Sequence, residues 1–486
     1  MIQSIIHTSE NDNFYLYNDE SRLSMLIHPQ LKKIHESKKI HESPMDMDVD
    51  SYYLDKYAYL KRNDFFVERK FVNLDFKIDE SIVKNCIIQT PQIVFEVTDC
   101  CNLKCMYCAQ GELYEDSDYK VGKNINIHSS IKLLKYIFNL VPYNKKNKLG
   151  IGFYGGEPLL NIKFIKQIVE IIPQLNVEKQ IDITYLMTTN ATLIHKHIDF
   201  LVENKFQLLI SLDGNEENHS CRIFGNNKNS HSTVVKNIDM IKRKYPDYFA
   251  SNINFNAVLH NKNSVKEIYE FIYTRYNKIP RIAELNMLYI KSDKRGVLGK
   301  MFHSKQKSVT EYSKEDTNQL PHNELSMYSE LINFLKYLSV NYYISNVANY
   351  LHSEEKYMPT STCMPFSRKT FLTNRNKILT CERIGSNNSL GIINQDVEID
   401  IQSIVQQYNF YYKCLKKVCQ YCYAYRFCGL CLFQIENFDK LNSEKFVCDN
   451  FYNEKKFQTK LYSIFSFLEN NPNDFFEILE KYVIEK

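Results

Sequence analysis

Between residues 90 and 290 the chain alternates short apolar, β-branched segments with longer amphipathic ones, and no other feature restricts its fold so tightly. Strand patterns lie at Gln92–Val97, Leu149–Tyr154, Ile181–Met187, Phe206–Leu212, Ile253–Leu259 and Arg281–Leu288. The stretches between them, Ser129–Leu140, Asn161–Ile172, Leu193–Asn204, Thr233–Lys244 and Ser264–Arg275, place apolar residues at helical spacing. Ser264 followed by Glu267 forms a capping-box start for the last of these. Regular strand–helix alternation predicts βαβ crossovers and a parallel sheet. About six units make a partial (β/α)6 barrel, α/β in class, with its chemistry at the carboxyl ends of the strands.

The flanking segments read differently. Within residues 1–88, Asn13–Leu16 and Leu23–Ile27 alternate around the turn Asn18-Asp19-Glu20-Ser21, a hairpin pattern. Helical patterns follow at Gln30–Ser37 and Tyr52–Lys61, separated by the polar segment Ser43–Asp50. This small α+β module is either a winged-helix-like docking unit or a cap on the barrel. After the barrel (89–290), residues 291–355 read as a polar helical connection that includes the basic, solvated stretch Lys294–Lys307. Residues 356–450 are rich in cysteine, and 451–486 read as amphipathic helices.

Composition sets the compartment. The net charge of +4 over 486 residues is too slight to argue for a nucleic-acid or membrane partner. The first residues show neither the basic nor the apolar region of a signal peptide, and no apolar run is long enough to span a bilayer. Fourteen cysteines in a chain of this kind point to a reducing cytoplasm and to metal or cluster ligation rather than disulfides.

The first barrel strand is followed at once by Thr98-Asp99-Cys100-Cys101-Asn102-Leu103-Lys104-Cys105-Met106-Tyr107-Cys108. Cys101-x3-Cys105-x2-Cys108 puts three thiolates on one short loop, which suits a cubane iron–sulfur cluster with one iron open. A structural zinc site wants four ligands, and no further Cys or His lies at suitable local spacing; Cys100 leaves the register open. This motif, with Tyr107 before its last cysteine, resembles the radical SAM superfamily, in which the open iron binds S-adenosylmethionine. The resemblance extends to Gly155-Gly156-Glu157-Pro158 after the second strand, Thr189-Asn190 after the third, and Ser211-Leu212-Asp213-Gly214 at the end of the fourth. It implies that Gly155, Gly156, Glu157 and Pro158 meet the methionine amino group. Asn190, Ser211 and Asp213 would lie near the ribose, and Arg222 would bind a carboxylate.

A second set comprises Cys363, Asn376 and Cys381, then Cys419-x2-Cys422-x5-Cys428-x2-Cys431 and Cys448. It resembles the SPASM extension, which carries two auxiliary [4Fe–4S] clusters. Asn376 stands where relatives usually have Gly, and the step from Cys428 to Cys431 is one residue shorter than usual. The resemblance implies Cys363, Cys381 and Cys431 on one cluster and Cys419, Cys422, Cys428 and Cys448 on the other. The first set is one ligand short, so either Cys414 completes it or one iron stays open to a substrate thiolate.

Proteins similar in both halves mostly crosslink ribosomally made peptides, and the nearest resemblance is to maturases of Gly-Gly-leader precursors in Bacteroidales. The implied activity is reductive cleavage of S-adenosylmethionine to a 5′-deoxyadenosyl radical, hydrogen abstraction from a precursor peptide, and formation of a thioether or carbon–carbon crosslink. The implied partners are the precursor, its leader held by the N-terminal module, and an electron donor such as flavodoxin or ferredoxin. The alternatives are a formylglycine-forming enzyme of the sulfatase-maturase kind and a catalytically silent partner of a maturase. No catalytic acid or base stands out; Glu382 and Arg383 are among the options.

Overall fold

The computed structural model describes residues 2–39, 48–66, 68–69, 72–115, 122–142, 148–310, 326–339, 358–435 and 437–483. Most of Ser43–Asp50 and much of the 291–355 segment therefore lie outside the described residues. The chain forms two compact units, each assembled from separate stretches of sequence. One comprises Ile78–Leu320 and Cys363–Tyr408; the other comprises Met1–Lys77, Pro321–Thr362 and Asn409–Lys486.

The first unit is built on one sheet of ten strands. Its parallel part contains β1 (Gln92–Thr98), β2 (Lys148–Gly155), β3 (Asp182–Thr189), β4 (Gln207–Ser211), β5 (Ile253–Leu259) and β6 (Arg281–Glu284). These strands lie in the order β6-β5-β4-β3-β2-β1. The alternation read from the sequence thus produces the expected partial barrel. Helices α1 (Ile127–Leu140), α2 (Ile162–Asn176), α3 (Ile198–Glu203), α4 (His231–Lys244) and α5 (Val265–Tyr276) make the crossovers. Asn126 caps α1 by accepting from His128 N at 2.8 Å. At α5 the expected capping box forms, with Glu267 N donating to Ser264 Oγ at 3.2 Å.

Period-two alternation divides the two faces of this sheet. Ile93, Phe95 and Val97 of β1, Ile151 and Phe153 of β2, and Phe255 and Ala257 of β5 are fully or almost fully buried. The residues between them, including Gln92, Gly152, Tyr154, Thr188, Gln207, Asn254 and Asn256, line a cavity of about 360 Å³ inside the barrel. Gly152 keeps that space open, since a Cβ there would meet Val94 at 3.0 Å.

The cysteine-rich segment contributes a further part of the same sheet. Strand β7 (Thr370–Leu372) pairs in parallel with β1, and β8 (Lys377–Leu379), β9 (Gly391–Ile393) and β10 (Val397–Glu398) follow as an antiparallel meander. Asn376 sits in the β7–β8 turn with φ 63°, the left-handed conformation that Asn tolerates.

Two expectations need correction here. Strand β6 ends at Glu284 rather than Leu288. The apolar residue Leu285 instead joins a core cluster with Tyr107, Tyr114, Cys221, Ile290, Leu298 and Met301. For the same reason the basic stretch Lys294–Lys307 is not merely solvated: Arg295–Met301 is a helix that buries Leu298 and Met301 in that cluster.

In the second unit, strands Ile5–Thr8, Phe14–Asn18 and Leu23–Ile27 form an antiparallel sheet with Phe14–Asn18 in the middle. The hairpin was legible; the strand Ile5–Thr8 was not. Helices Pro29–Lys39 and Ser51–Arg62 close a core of Leu16, Ile27, Leu31, Ile34, Tyr57, Leu60 and Phe66. Helix Glu454–Asn470 packs along Ile5–Thr8, where Gln458 Nε2 donates to Ile6 O at 3.2 Å and Tyr15 OH to Glu469 at 2.6 Å. Strand Leu23–Ile27 has no second partner strand among the described residues, and Leu26 on it is 62% exposed. No helix among the described residues is long and apolar enough to cross a membrane.

His7 marks the seam of this packing, its ring 4.7 Å from that of Phe465 and 5.5 Å from that of Tyr15. Burial lowers its pKa to about 4, against smaller upward contributions from Thr8 O and Glu469. A His held neutral when folded but basic when unfolded destabilises the fold as pH falls from its unfolded value toward 4. That cost is about 1 kcal/mol near pH 5.5. We expect His7→Phe, which keeps the ring stack, to slow amide exchange in Phe14–Asn18 at pH 5.5 relative to wild type. At pH 7.5 the difference should shrink; an equal difference at both pH values would exclude the titration.

Candidate functional site

The cysteine loop leaves the carboxyl end of β1 and is held in place by its own backbone. Lys104 N donates to Ile223 O at 2.7 Å and Met106 N to Cys221 O at 3.0 Å. Cys221 is thus a buried support beneath the loop rather than a ligand. Tyr107, between the second and third cysteines, donates its hydroxyl to Asp213 just beyond β4. Arg222 grips the same carboxylate in a fork, Nε to Oδ2 at 2.9 Å and Nη2 to Oδ1 at 3.0 Å, and lies over the Tyr107 ring at 5.4 Å. Val258 N of β5 adds a donor at 2.9 Å.

Asp213 is wholly buried. Burial pushes its carboxyl up, but Arg222, His219 and Tyr107 outweigh that and hold it below the usual range. The sequence led us to expect Asp213 as a ligand contact and Arg222 as an anion receptor. The structure shows both engaged with each other and with Tyr107, because a buried carboxylate requires a buried cation and full hydrogen bonding.

Glu157 ties the neighbouring strand ends together. Its carboxylate accepts from Thr189 Oγ1 at 2.7 Å, Asn190 N at 2.8 Å and Leu159 N at 3.1 Å, and its own N–H donates to Cys100 O at 2.8 Å. Burial raises its pKa to about 7. Gly155 has φ 128°, and a Cβ on Gly156 would stand 2.0 Å from Cys100 O. Only glycine lets this backbone approach so near the cysteine loop. Pro158 opens the short helix that Glu157 caps. Asn190 points Nδ2 at Asn102 Oδ1, 3.0 Å, and toward Cys101 Sγ, 3.7 Å. Ser211 ends β4 and is buried.

Sequence reasoning missed several members of this network. His260 packs its ring 5.5 Å from Tyr107. His219, buried and with its pKa lowered to about 3 chiefly by that burial, accepts from Asp213 N at 3.2 Å. Neither stands in a motif, so no sequence signal marked them.

The three thiols fit a cluster. Desolvation raises Cys105 to about 12 and Cys101, which keeps an exposed edge, to about 11, with neighbouring thiols adding to the rise. Assembly of iron on them must therefore release protons. Leu103 N points at Cys101 Sγ at 3.4 Å, a donor of the kind that tunes cluster sulfur.

In the second unit Cys419, Cys422, Cys428 and Cys448 line one cavity with the apolar Leu415, Val418, Ile435 and Phe451. Backbone N–H groups serve these thiols: Tyr452 N reaches Cys422 Sγ at 3.3 Å, Leu430 and Ser361 serve Cys428, and Asn450 serves Cys448. Four thiols in an apolar pocket ringed by N–H donors suit a cubane. Among the described residues no three His, Cys, Asp or Glu side chains converge on a point that would hold one metal ion. A cubane does not need such convergence, since each thiolate binds its own iron. Cys431 is not in that lining. Cys363 and Cys381 belong to the barrel unit and Cys431 to the other. Cys414 is buried and its thiol donates to Asn442 Oδ1 at 3.5 Å.

Residues 95–272 match the Radical SAM superfamily. An uncharacterised protein of Methanocaldococcus jannaschii is 34% identical over 35% of this chain and 54% of its own length. A cysteine-type anaerobic sulfatase-maturating enzyme of Clostridium novyi is 29% identical over 35% of this chain and 44% of its own. A radical SAM cyclopropyl synthase of Paramaledivibacter caminithermalis is 25% identical over 35% and 36%. The chain thus spans about half the length, or less, of these curated relatives. Native anSMEcpe, solved with bound AdoMet and Kp18Cys peptide, superposes with a TM-score of 0.54 at 19% identity, over 80% of this chain and 99% of that one, which shows a shared fold. With the motif loop, the parallel barrel and the family match in agreement, the barrel of this chain carries a radical SAM domain.

Proposed function

We propose that the protein is a peptide maturase that uses S-adenosylmethionine to install an intramolecular thioether or carbon–carbon crosslink in a ribosomally made precursor. One observation carries this reading: the chain joins the Cys101–Cys105–Cys108 loop to a separate apolar cavity lined by four thiols. When bound, a [4Fe–4S] cluster with S-adenosylmethionine supplies one-electron cleavage and a hydrogen-abstracting fragment, and auxiliary clusters supply a sink for the returning electron. Crosslinking then removes two hydrogens from the peptide, one leaving in 5′-deoxyadenosine and the other as a proton.

The chain's own residues position and shield. Tyr107, Asp213 and Arg222 fix the cysteine loop; Gly155 and Gly156 bring backbone close to it; Glu157 holds the ends of β2 and β3 together. The polar cavity inside the barrel receives the peptide segment to be modified. The open strand Leu23–Ile27 offers an edge on which an extended leader adds as a further strand. A flavodoxin- or ferredoxin-type donor delivers the electron.

The matches to sulfatase-maturating enzymes favour a second reading, formylglycine formation. Deleting the N-terminal segment cannot separate the two, because Met1–Lys77 shares one unit with Asn409–Lys486. The product does. Reconstituted protein and a small peptide encoded beside its gene should yield 5′-deoxyadenosine and a peptide lighter by two hydrogens, resistant to fragmentation between the linked residues. Replacement of a cysteine or serine side chain by an aldehyde would establish the rival instead. No 5′-deoxyadenosine at all would mean a silent partner. Leu26→Lys, a charge on the open edge, should weaken binding of the full-length precursor about tenfold while sparing a leaderless one.

Iron content tests the cofactors. Three cubanes predict about twelve irons per chain after anaerobic reconstitution. The Cys101/Cys105/Cys108 triple Ala variant should hold about eight, and so should Cys419→Ala with Cys422→Ala. About four irons in wild type, with zinc in place of the rest, would remove the auxiliary clusters from this account.

A further inference from the structure

The cavity inside the barrel is charged as well as polar. Its lining carries three cations, Arg281, Lys369 and Arg383, and a single carboxylate, Glu382. Lys369 Nζ donates to Glu382 Oε2 at 2.8 Å, so that pair is internally neutral. Neither the Arg281 nor the Arg383 guanidinium forms a hydrogen bond or ion pair with a described residue, although Arg383 lies near enough to Glu382 to help hold its carboxyl below the usual range. The cavity lining therefore has a net charge of +2, and its one carboxylate, Glu382, is already paired with Lys369 while also facing Arg383.

Position makes this arrangement selective. Arg281 begins β6, and Gln92 and Gln207 begin β1 and β4, so they sit at the amino ends of the parallel strands. Lys369 immediately precedes β7, which runs parallel to β1, and Glu382 and Arg383 follow β8, which runs back antiparallel. All the charged lining residues thus occupy the end of the barrel opposite the cysteine loop. Tyr154 and Thr188, near the carboxyl ends of β2 and β3, line the same cavity toward that loop. A peptide segment inside the barrel would lie between an uncharged upper wall and a cationic lower rim.

We propose that Arg281 and Arg383 form a carboxylate-recognition subsite that selects an acidic group in the peptide near the residue to be modified. Guanidinium forks bind carboxylates in two-point fashion and keep their charge at any working pH, which suits a site that must discriminate carboxylate from amide. A Glu or Asp side chain and a peptide C-terminus present the same chemistry, and the subsite accepts either by these contacts alone. The inference rests on the barrel acting on peptides, but not on which bond is made.

The test is binding to the reconstituted full chain, followed by anisotropy of fluorescent seven-residue peptides in low salt. Three probes differ only in charge placement: a central Glu with amidated C-terminus, a central Gln with amidated C-terminus, and a central Gln with free C-terminus. The central-Glu probe should bind about tenfold tighter than its Gln counterpart, and Arg281→Gln or Arg383→Gln should abolish that difference. Tight binding of the free-C-terminus probe alone would identify a terminal carboxylate as the ligand. Both arginines are exposed, so their replacement leaves the core intact. Glu382→Gln supplies a gain of function: it frees Lys369, and the central-Glu probe should then bind several-fold tighter still. Equal binding of Glu and Gln probes, no binding up to millimolar peptide, or indifference to Arg281→Gln and Arg383→Gln would each overturn the subsite. If carboxylate probes bind as described but no precursor is ever crosslinked, the maturase reading fails and the subsite stands. If precursors lacking any nearby carboxylate are crosslinked equally by wild type and the arginine variants, the reverse holds.

Discussion

The buried contact of Asp213 with Arg222 and Tyr107 is the interaction on which the site depends. It joins three pieces of chain that are far apart in sequence: the cysteine loop, the end of β4 and the turn that returns toward α4. Removing one partner of a buried, hydrogen-bonded ion pair costs about 3–5 kcal/mol, because the other is left charged without compensation. The cysteine loop has few apolar residues of its own, and its geometry is set by this polar clamp together with backbone bonds to Cys221 and Ile223. The arrangement resembles a keystone more than a glue: each member is held by the demand of the others for a partner.

Around that clamp the sheet sorts chemistry by face. Helices bury the aliphatic and aromatic residues of the outer face, while glycine, amide and hydroxyl residues on the inner face leave a polar cavity. A β/α barrel in which every inward position is filled has no room for a peptide. Here Gly150 and Gly152 on β2 stand where larger residues would press against Leu186 and Val94.

Much of the barrel was legible because its signals are local and periodic. Strand Ile253–Leu259 and the capping box at Ser264 follow from alternation and spacing alone. The cysteine loop and the Gly155–Pro158 turn were legible as motifs. What escaped was non-local. The strand Ile5–Thr8 is four residues long and exists because helix Glu454–Asn470 covers it. The parallel pairing of β7 with β1 links residues that are nearly 280 apart, and no local pattern announces it. The mutual contact of Asp213 and Arg222 is likewise non-local in kind, because spacing cannot reveal that two polar residues pair with one another. His219 and His260 act as packing and acceptor groups, roles that leave no periodic trace.

The composition of the second unit has a consequence for how the chain is made. Its sheet and first helices are encoded by Met1–Lys77, yet the helix that covers the sheet comes from Asn409–Lys486. During synthesis the first segment emerges early and waits, with His7, Tyr15 and Tyr17 not yet covered by Phe457 and Phe465, while the barrel unit follows. The barrel between them meets no such delay for strands β1 to β6, which follow one another in sequence. The order of translation is therefore the reverse of the order of completion: the beginning of this chain is among the last parts to be finished, and it is the part most in need of a chaperone in the interval.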